Sequence, residues 1–204
     1  AGVAEAGDGV TTLRIDVPAR PDGDAVVVSP SRDEVRAHAG TYRQVPVAHT
    51  YLDDCETPVS AMLKLRDGGP CFLLESAEQG QRLGRYSMIG IDPQAVIRAE
   101  GGRVRMRRSD GTEQDLGADD PFGAIQALVD GVAMAPPAEP LAFWGGAVGF
   151  FGYDMVRTVE HLPDVPDDDL GIPDMVMMLT GPVVLFDHLR RSTTIIVPCD
   201  IADG

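Results

Sequence analysis

In the stretch LLESAEQGQRLGRYSMIGIDP, residues 73–93, two strand-like apolar runs enclose an acidic residue beside a hydroxyl and then a basic residue beside another hydroxyl. Glu75 can pair with an ammonium group, and Arg85 can grip a carboxylate through two parallel hydrogen bonds. Ser76 and Ser87 can donate or accept. Such a set suits both charged ends of a free amino acid. At roughly 3.3 Å per strand residue, a hairpin with a long loop would bring the two halves to one sheet edge. Glu-Ser closing one strand and Arg opening another is also the usual composition of a solvated turn, and local chemistry does not separate the two readings.

No other reactive constellation accompanies this stretch. His38, His49, His161 and His188 are scattered without a nucleophile signature, so no catalytic residue is assigned. Cys55, Cys71 and Cys199 are odd in number, form no CxxC pair and have no histidines at zinc spacing. They read as reduced thiols of a cytoplasmic protein, without a metal site. The glycines at 145, 146 and 149 match neither G-x-G-x-x-G nor GxxxxGK, so no phosphate cradle is expected. The acidic run at 164–169 reads as a solvated loop.

The 204 residues carry a formal net charge of −15, which argues against a nucleic-acid partner. The one basic run, RVRMRR at 103–108, alternates like a strand and predicts an exposed basic sheet face. No apolar run reaches the roughly 20 residues that span a bilayer. The amino terminus lacks the basic-then-apolar profile of a signal peptide and starts without Met, which fits a processed chain.

The elements that would position the hairpin can be read from caps and periodicity. Residues 1–30 form a variable arm, with an edge strand expected from its apolar patches at 13–15 and 25–28. Ser31 and Glu34 predict a capping box and a helix to about Ala39. Thr57 with Pro58 opens a second helix that Gly68-Gly69 ends. Strands follow at 70–75, 85–91, 95–99 and 102–107, read as an antiparallel meander. Asp120 and Pro121 start a third helix with Phe122, Ile125, Leu128 and Val129 on its inner stripe. A strand at 141–149, a helix at 153–161 with Val156 and Val159 inward, paired strands at 174–179 and 183–187, and a strand at 193–197 complete the chain. The sum is α+β: mainly antiparallel sheets with covering helices, arranged as a sandwich.

Three blocks give the chain a family likeness. LLES…GRYSMIG at 73–90 resembles the LLES…GRYSFIG segment of anthranilate synthase component I. WGGAVGFFGYDMVR at 144–157 is similar to that family's GG-VGY-YD-VR element, and TPVSAMLKL at 57–65 to its TP-SAY-KL helix, with PDM at 173–175 and FDH at 186–188 in order. The resemblance covers about 31–197 and makes 31–204 the N-terminal regulatory region of an incomplete enzyme.

What the resemblance implies is specific. The full-length enzyme would add ammonia, from a glutamine amidotransferase subunit or fused domain, to chorismate and release pyruvate, with Mg²⁺ and the catalytic groups in a C-terminal part. No cofactor belongs to the present region. By carry-over, Leu74, Glu75 and Ser76 would line a feedback pocket for L-tryptophan, with Arg85, Tyr86 and Ser87 beside them. Alternatives are aminodeoxychorismate synthase component I of the folate pathway, which shares these blocks, and a stand-alone amino-acid-binding module.

Overall fold

A computed structural model describes residues 26–53, 55–75, 84–117, 120–165 and 167–201. Local signals set where the helices begin. Helix α1, Arg32–Ala37, starts at the expected capping box: Glu34 accepts from the Ser31 N–H at 2.7 Å while the Ser31 hydroxyl accepts from the Glu34 N–H. It buries no residue, so its cap rather than packing defines it. Strand β1 is Gln44–Leu52, and helix α2, Pro58–Leu65, is capped by Thr57. There Ser60 takes the place of the usual Glu, exchanging bonds with Thr57 at 3.0 and 3.1 Å.

The remaining elements are β2 (Phe72–Leu74), β3 (Tyr86–Gly90), β4 (Ala95–Glu100), β5 (Arg103–Arg108), β6 (Glu113–Gly117) and α3 (Pro121–Val132). They are followed by β7 (Ala147–Phe151), a 3-10 helix at Tyr153–Thr158, β8 (Met175–Leu179), β9 (Val183–Asp187) and β10 (Ser192–Asp200). The strands form two antiparallel five-stranded sheets, ordered β1-β10-β9-β3-β2 and β6-β5-β4-β8-β7. The α+β class is as expected.

The two sheets meet at a corner that periodicity does not reveal. β3 and β4 follow one another in the chain yet lie in different sheets, and so do β8 and β9. The meander over 85–107 is therefore broken after β3, and the strands at 174–179 and 183–187 are not paired with each other. The two connections run side by side: Ile91 N–H donates to Pro182 O at 3.2 Å and Gln94 N–H to Leu179 O at 2.9 Å. Gly181 is obligatory at this crossing, because a Cβ there would sit 2.1 Å from the Asp92 carbonyl oxygen. Strands that bend from one sheet into another are a standard way of turning a sheet corner.

Each sheet keeps its own apolar clusters. Ile97, Met106, Met175 and Leu179 pack under α3, which contributes Ile125, Leu128 and Val129 of its expected stripe, while Phe122 is exposed and meets the Phe151 ring instead. In the other sheet, Ile89, Val184 and Phe186 pack against Ala61 of α2, while Val183, Leu185 and Ile196 pack against Leu141 and Phe143 from the opposite side. None of these clusters mixes residues of both sheets. A polar seam joins them instead: Gln44 Nε2 donates to Gln94 Oε1 and to Asp200 Oδ1, each at 2.8 Å, and Gln94 Nε2 donates to the Thr180 carbonyl at 2.8 Å.

Several sequence expectations are corrected here. β1 and β6 depart from that reading; Pro46 interrupts the first pattern, and it is tolerated because β1 is an edge strand, paired within its sheet only to β10. The strand expected at 141–149 begins only at Ala147, since Leu141 and Phe143 are taken up by the other sheet's core. The helix at 153–161 is a single 3-10 stretch that buries Met155 and leaves Val159 exposed. Val26–Val28 form no strand, Ser29 bridges Ala48, and residues 13–15 lie outside the described residues. The basic run behaves as read: Val104 and Met106 are buried while Arg103, Arg105 and Arg107 are exposed.

Ile97 is fully buried at the centre of the α3-covered cluster. Ile97→Ala is expected to cost about 2–5 kcal/mol, read as a lower denaturant midpoint with an unchanged slope.

Candidate functional site

The candidate site rests on the β2–β3 hairpin, with Leu73 opposite Ile89 and Leu74 opposite Met88. The pairing is close because Gly90 lacks a side chain: a Cβ there would lie 2.1 Å from the Phe72 ring. Strand alternation puts Leu74, Tyr86 and Met88 on one face and Ser87 on the other. Leu74 is partly exposed and Glu75, at the strand's end, is exposed. Ser76 lies outside the described residues.

Arg85 has found its carboxylate within the chain. Its Nε donates to Asp187 Oδ1 at 3.0 Å and its Nη2 to Oδ2 at 2.5 Å, the two-pronged geometry expected of a ligand clamp. Asp187 ends β9 directly opposite Tyr86, and its Oδ1 also accepts the backbone N–H groups of Leu189 and Arg190 at 3.1 Å. The Arg85 guanidinium holds the Asp187 carboxyl below the usual carboxylate range, and these backbone bonds add to the effect while burial opposes it. Asp187 in turn raises Arg85. The guanidinium also stacks over the Tyr86 ring at 4.8 Å.

Ser87 is buried and its hydroxyl lies 2.7 Å from His188 Nε2. It faces away from Leu74 and Tyr86, and its partner His188 borders an open cleft of about 490 Å³ with Asp53, Thr57 and Thr193. The structure thus brings Leu74, Glu75 and Tyr86 to one hairpin edge, anchors Arg85 below them, and sends Ser87 to the opposite side. Asp187 and His188 are the residues that single-site reading missed. Their signal was the polar pair closing an otherwise fully apolar run, VVLFDH.

Among the described residues no group of three or more His, Cys, Asp or Glu could hold a metal ion. Among them, too, no helix is long and apolar enough to cross a membrane.

These features define an α+β chain of two antiparallel five-stranded sheets, with Leu74, Glu75 and Tyr86 at one hairpin. Comparison with known proteins names the relationship. No family model matches the chain. Anthranilate synthase component 1 of Acetivibrio thermocellus is 37% identical over 168 residues, covering 82% of this chain and 34% of that protein. The protein of that name from Mycolicibacterium smegmatis is 38% identical over 179 residues, covering 87% and 34%. The crystal structure of anthranilate synthase component I from Streptococcus pneumoniae TIGR4 aligns with a TM-score of 0.45 and 26% identity, covering 74% of this chain and 31% of that one. Over about four-fifths of its length the chain is therefore a relative of anthranilate synthase component I. It spans about a third of the length of the curated relatives it matches.

Because the folded state depresses the Asp187 pKa, the stabilisation is present above the ordinary carboxylate range and is lost as pH falls through the lowered value. Asp187→Asn is expected to lower the unfolding midpoint at neutral pH, with the gap from wild type closing below the ordinary range. A gap unchanged down to strongly acidic pH would rule out the pair as its source.

Proposed function

We propose that this chain is the tryptophan-sensing region of an anthranilate synthase component I. The observation that carries the reading is the run of relatives of that name, 37–38% identical over 168–179 residues. The whole protein would add ammonia, supplied by a glutamine amidotransferase subunit or fused domain, to chorismate, forming anthranilate and pyruvate with Mg²⁺. Those groups belong to the part of the relatives' length that this chain does not span.

At the hairpin edge, the exposed carboxylate of Glu75 makes no ion pair among the described residues, which supports a role in receiving the ligand's ammonium. Leu74 and Tyr86 supply apolar surface for the indole. Because Arg85 is paired with Asp187, the ligand carboxylate falls to the Ser76 hydroxyl and to groups outside this hairpin, and Arg85 acts by fixing Tyr86. Ser87 supports the site from the far side through His188.

Feedback requires that tryptophan bind the unproductive state more tightly than the productive one, by about 1–3 kcal/mol in typical couplings. Calorimetric titration with L-tryptophan is expected to give saturable binding that falls at least about tenfold in Glu75→Ala, the loss of one charge-assisted contact. Unchanged binding in that variant would overturn the assignment of Glu75. In the full-length enzyme, Ser76→Ala is expected to relieve tryptophan inhibition without lowering activity in its absence. Inhibition unchanged by that substitution would remove Ser76 from the pocket.

A further inference from the structure

A cavity of about 260 Å³ lies behind the corner, where the end of α3 passes the crossing connections. Val129 and Val132 of α3, Leu179 at the end of β8 and the flexible Met134 give it apolar walls, and Trp144 adds an indole wall. The Gly145-Gly146 backbone closes one side. A Cβ on Gly146 would meet nothing within 4 Å, yet its φ of 122° bars any other residue, so bare peptide faces the open space. Polar atoms enter through Gln94 and Thr180. A mostly apolar lining with a few placed polar groups is the usual character of a small-molecule site.

The hydrogen-bond inventory at those polar atoms limits what can bind. Asp200 Oδ1 accepts from Gln44 Nε2, which fixes the orientation of the Gln44 amide. The Thr180 carbonyl does the same for Gln94. Both hydrogens of Gln94 Nε2 are then engaged, one with Gln44 Oε1 at 3.2 Å and one with Thr180 O. Among the described residues Gln94 Oε1 accepts only from Gln44 Nε2, leaving one lone pair. Thr180 Oγ1 donates to Gly146 O at 3.1 Å and keeps its accepting capacity. The capacity that remains on the Gln94 and Thr180 side chains is for accepting a bond. No lining residue is charged, and a cavity of about 150 Å³ already holds benzene.

We infer that this cavity binds a neutral, flat aromatic molecule of about two fused rings that carries an N–H donor, at a site distinct from the Glu75 hairpin. The ring system stacks between Trp144 and the valines of α3, and its N–H donates to Gln94 Oε1 or Thr180 Oγ1. An occupant touches two members of the seam that joins the sheets, so it would bear directly on the corner.

Trp144 is the one tryptophan of the chain, so its side-chain N–H gives a single reporter signal in an ¹⁵N-labelled sample. Titration with unlabelled indole is expected to move that signal and the Gln94 side-chain amide saturably. Benzothiophene, of similar shape but without a donor, should bind at least about tenfold more weakly. Val129→Phe, which fills the cavity, should abolish the shift while leaving the distant amide signals in place. The comparison of the two probes on the unaltered chain stands whether or not the filled variant folds. A Trp144 signal unmoved up to the solubility limit of indole would overturn the site. Equal affinity for benzothiophene would overturn the donor requirement, and an equal response to zwitterionic L-tryptophan would overturn the neutral class. None of these outcomes depends on calorimetric binding at Glu75.

Discussion

The mutual hold of two bent connections, 90–95 and 179–183, is the constraint on which the rest of the structure depends. Each carries a strand from one sheet into the other, and neither can make the turn alone, because its backbone polar groups would be left unpaired inside the protein. Side by side they satisfy one another through Ile91–Pro182 and Gln94–Leu179, at a distance that only Gly181 permits. β3 is thereby set against β9 and β4 against β8, and the register of both sheets follows from this one crossing.

A polar seam beside an otherwise apolar pair of cores has a physical cost and a use. Gln44 is buried, and its amide is tolerated because both its donor and acceptor sides are matched by Gln94 and Asp200. Apolar contacts tolerate sliding, whereas reciprocal amide bonds fix one alignment. The seam thus specifies the relative placement of two sheets whose apolar clusters are separate. Any ligand that touches Gln94 or Thr180 touches that alignment.

At the hairpin, a strong tie sits next to an open edge. The Arg85–Asp187 pair, capped by two backbone N–H groups and stacked on Tyr86, locks the start of β3 to the end of β9. Glu75 makes no ion pair among the described residues, where β2 ends after three residues. The carboxylate excess of the chain, 32 Asp and Glu against 17 Lys and Arg, makes Arg85 a scarce partner. Asp187 wins it over any external carboxylate because the pair is preorganised.

The sequence by itself determined what is local. Ser31 with Glu34, Thr57 with Pro58, and Asp120 with Pro121 set the three helix starts, since capping uses residues within one turn. Alternation in RVRMRR set which arginines face water, and the LLES and GRYS blocks gave the family likeness. Only the tertiary structure decided what depends on residues far apart in the chain. It separated β8 from β9, drew Leu141 and Phe143 out of an expected strand, and placed β1 at a sheet edge, where its proline is tolerated. It also turned Arg85 from a candidate ligand clamp into the partner of a residue 102 positions away. A guanidinium binds the nearest well-placed carboxylate, and only the folded backbone says which one that is.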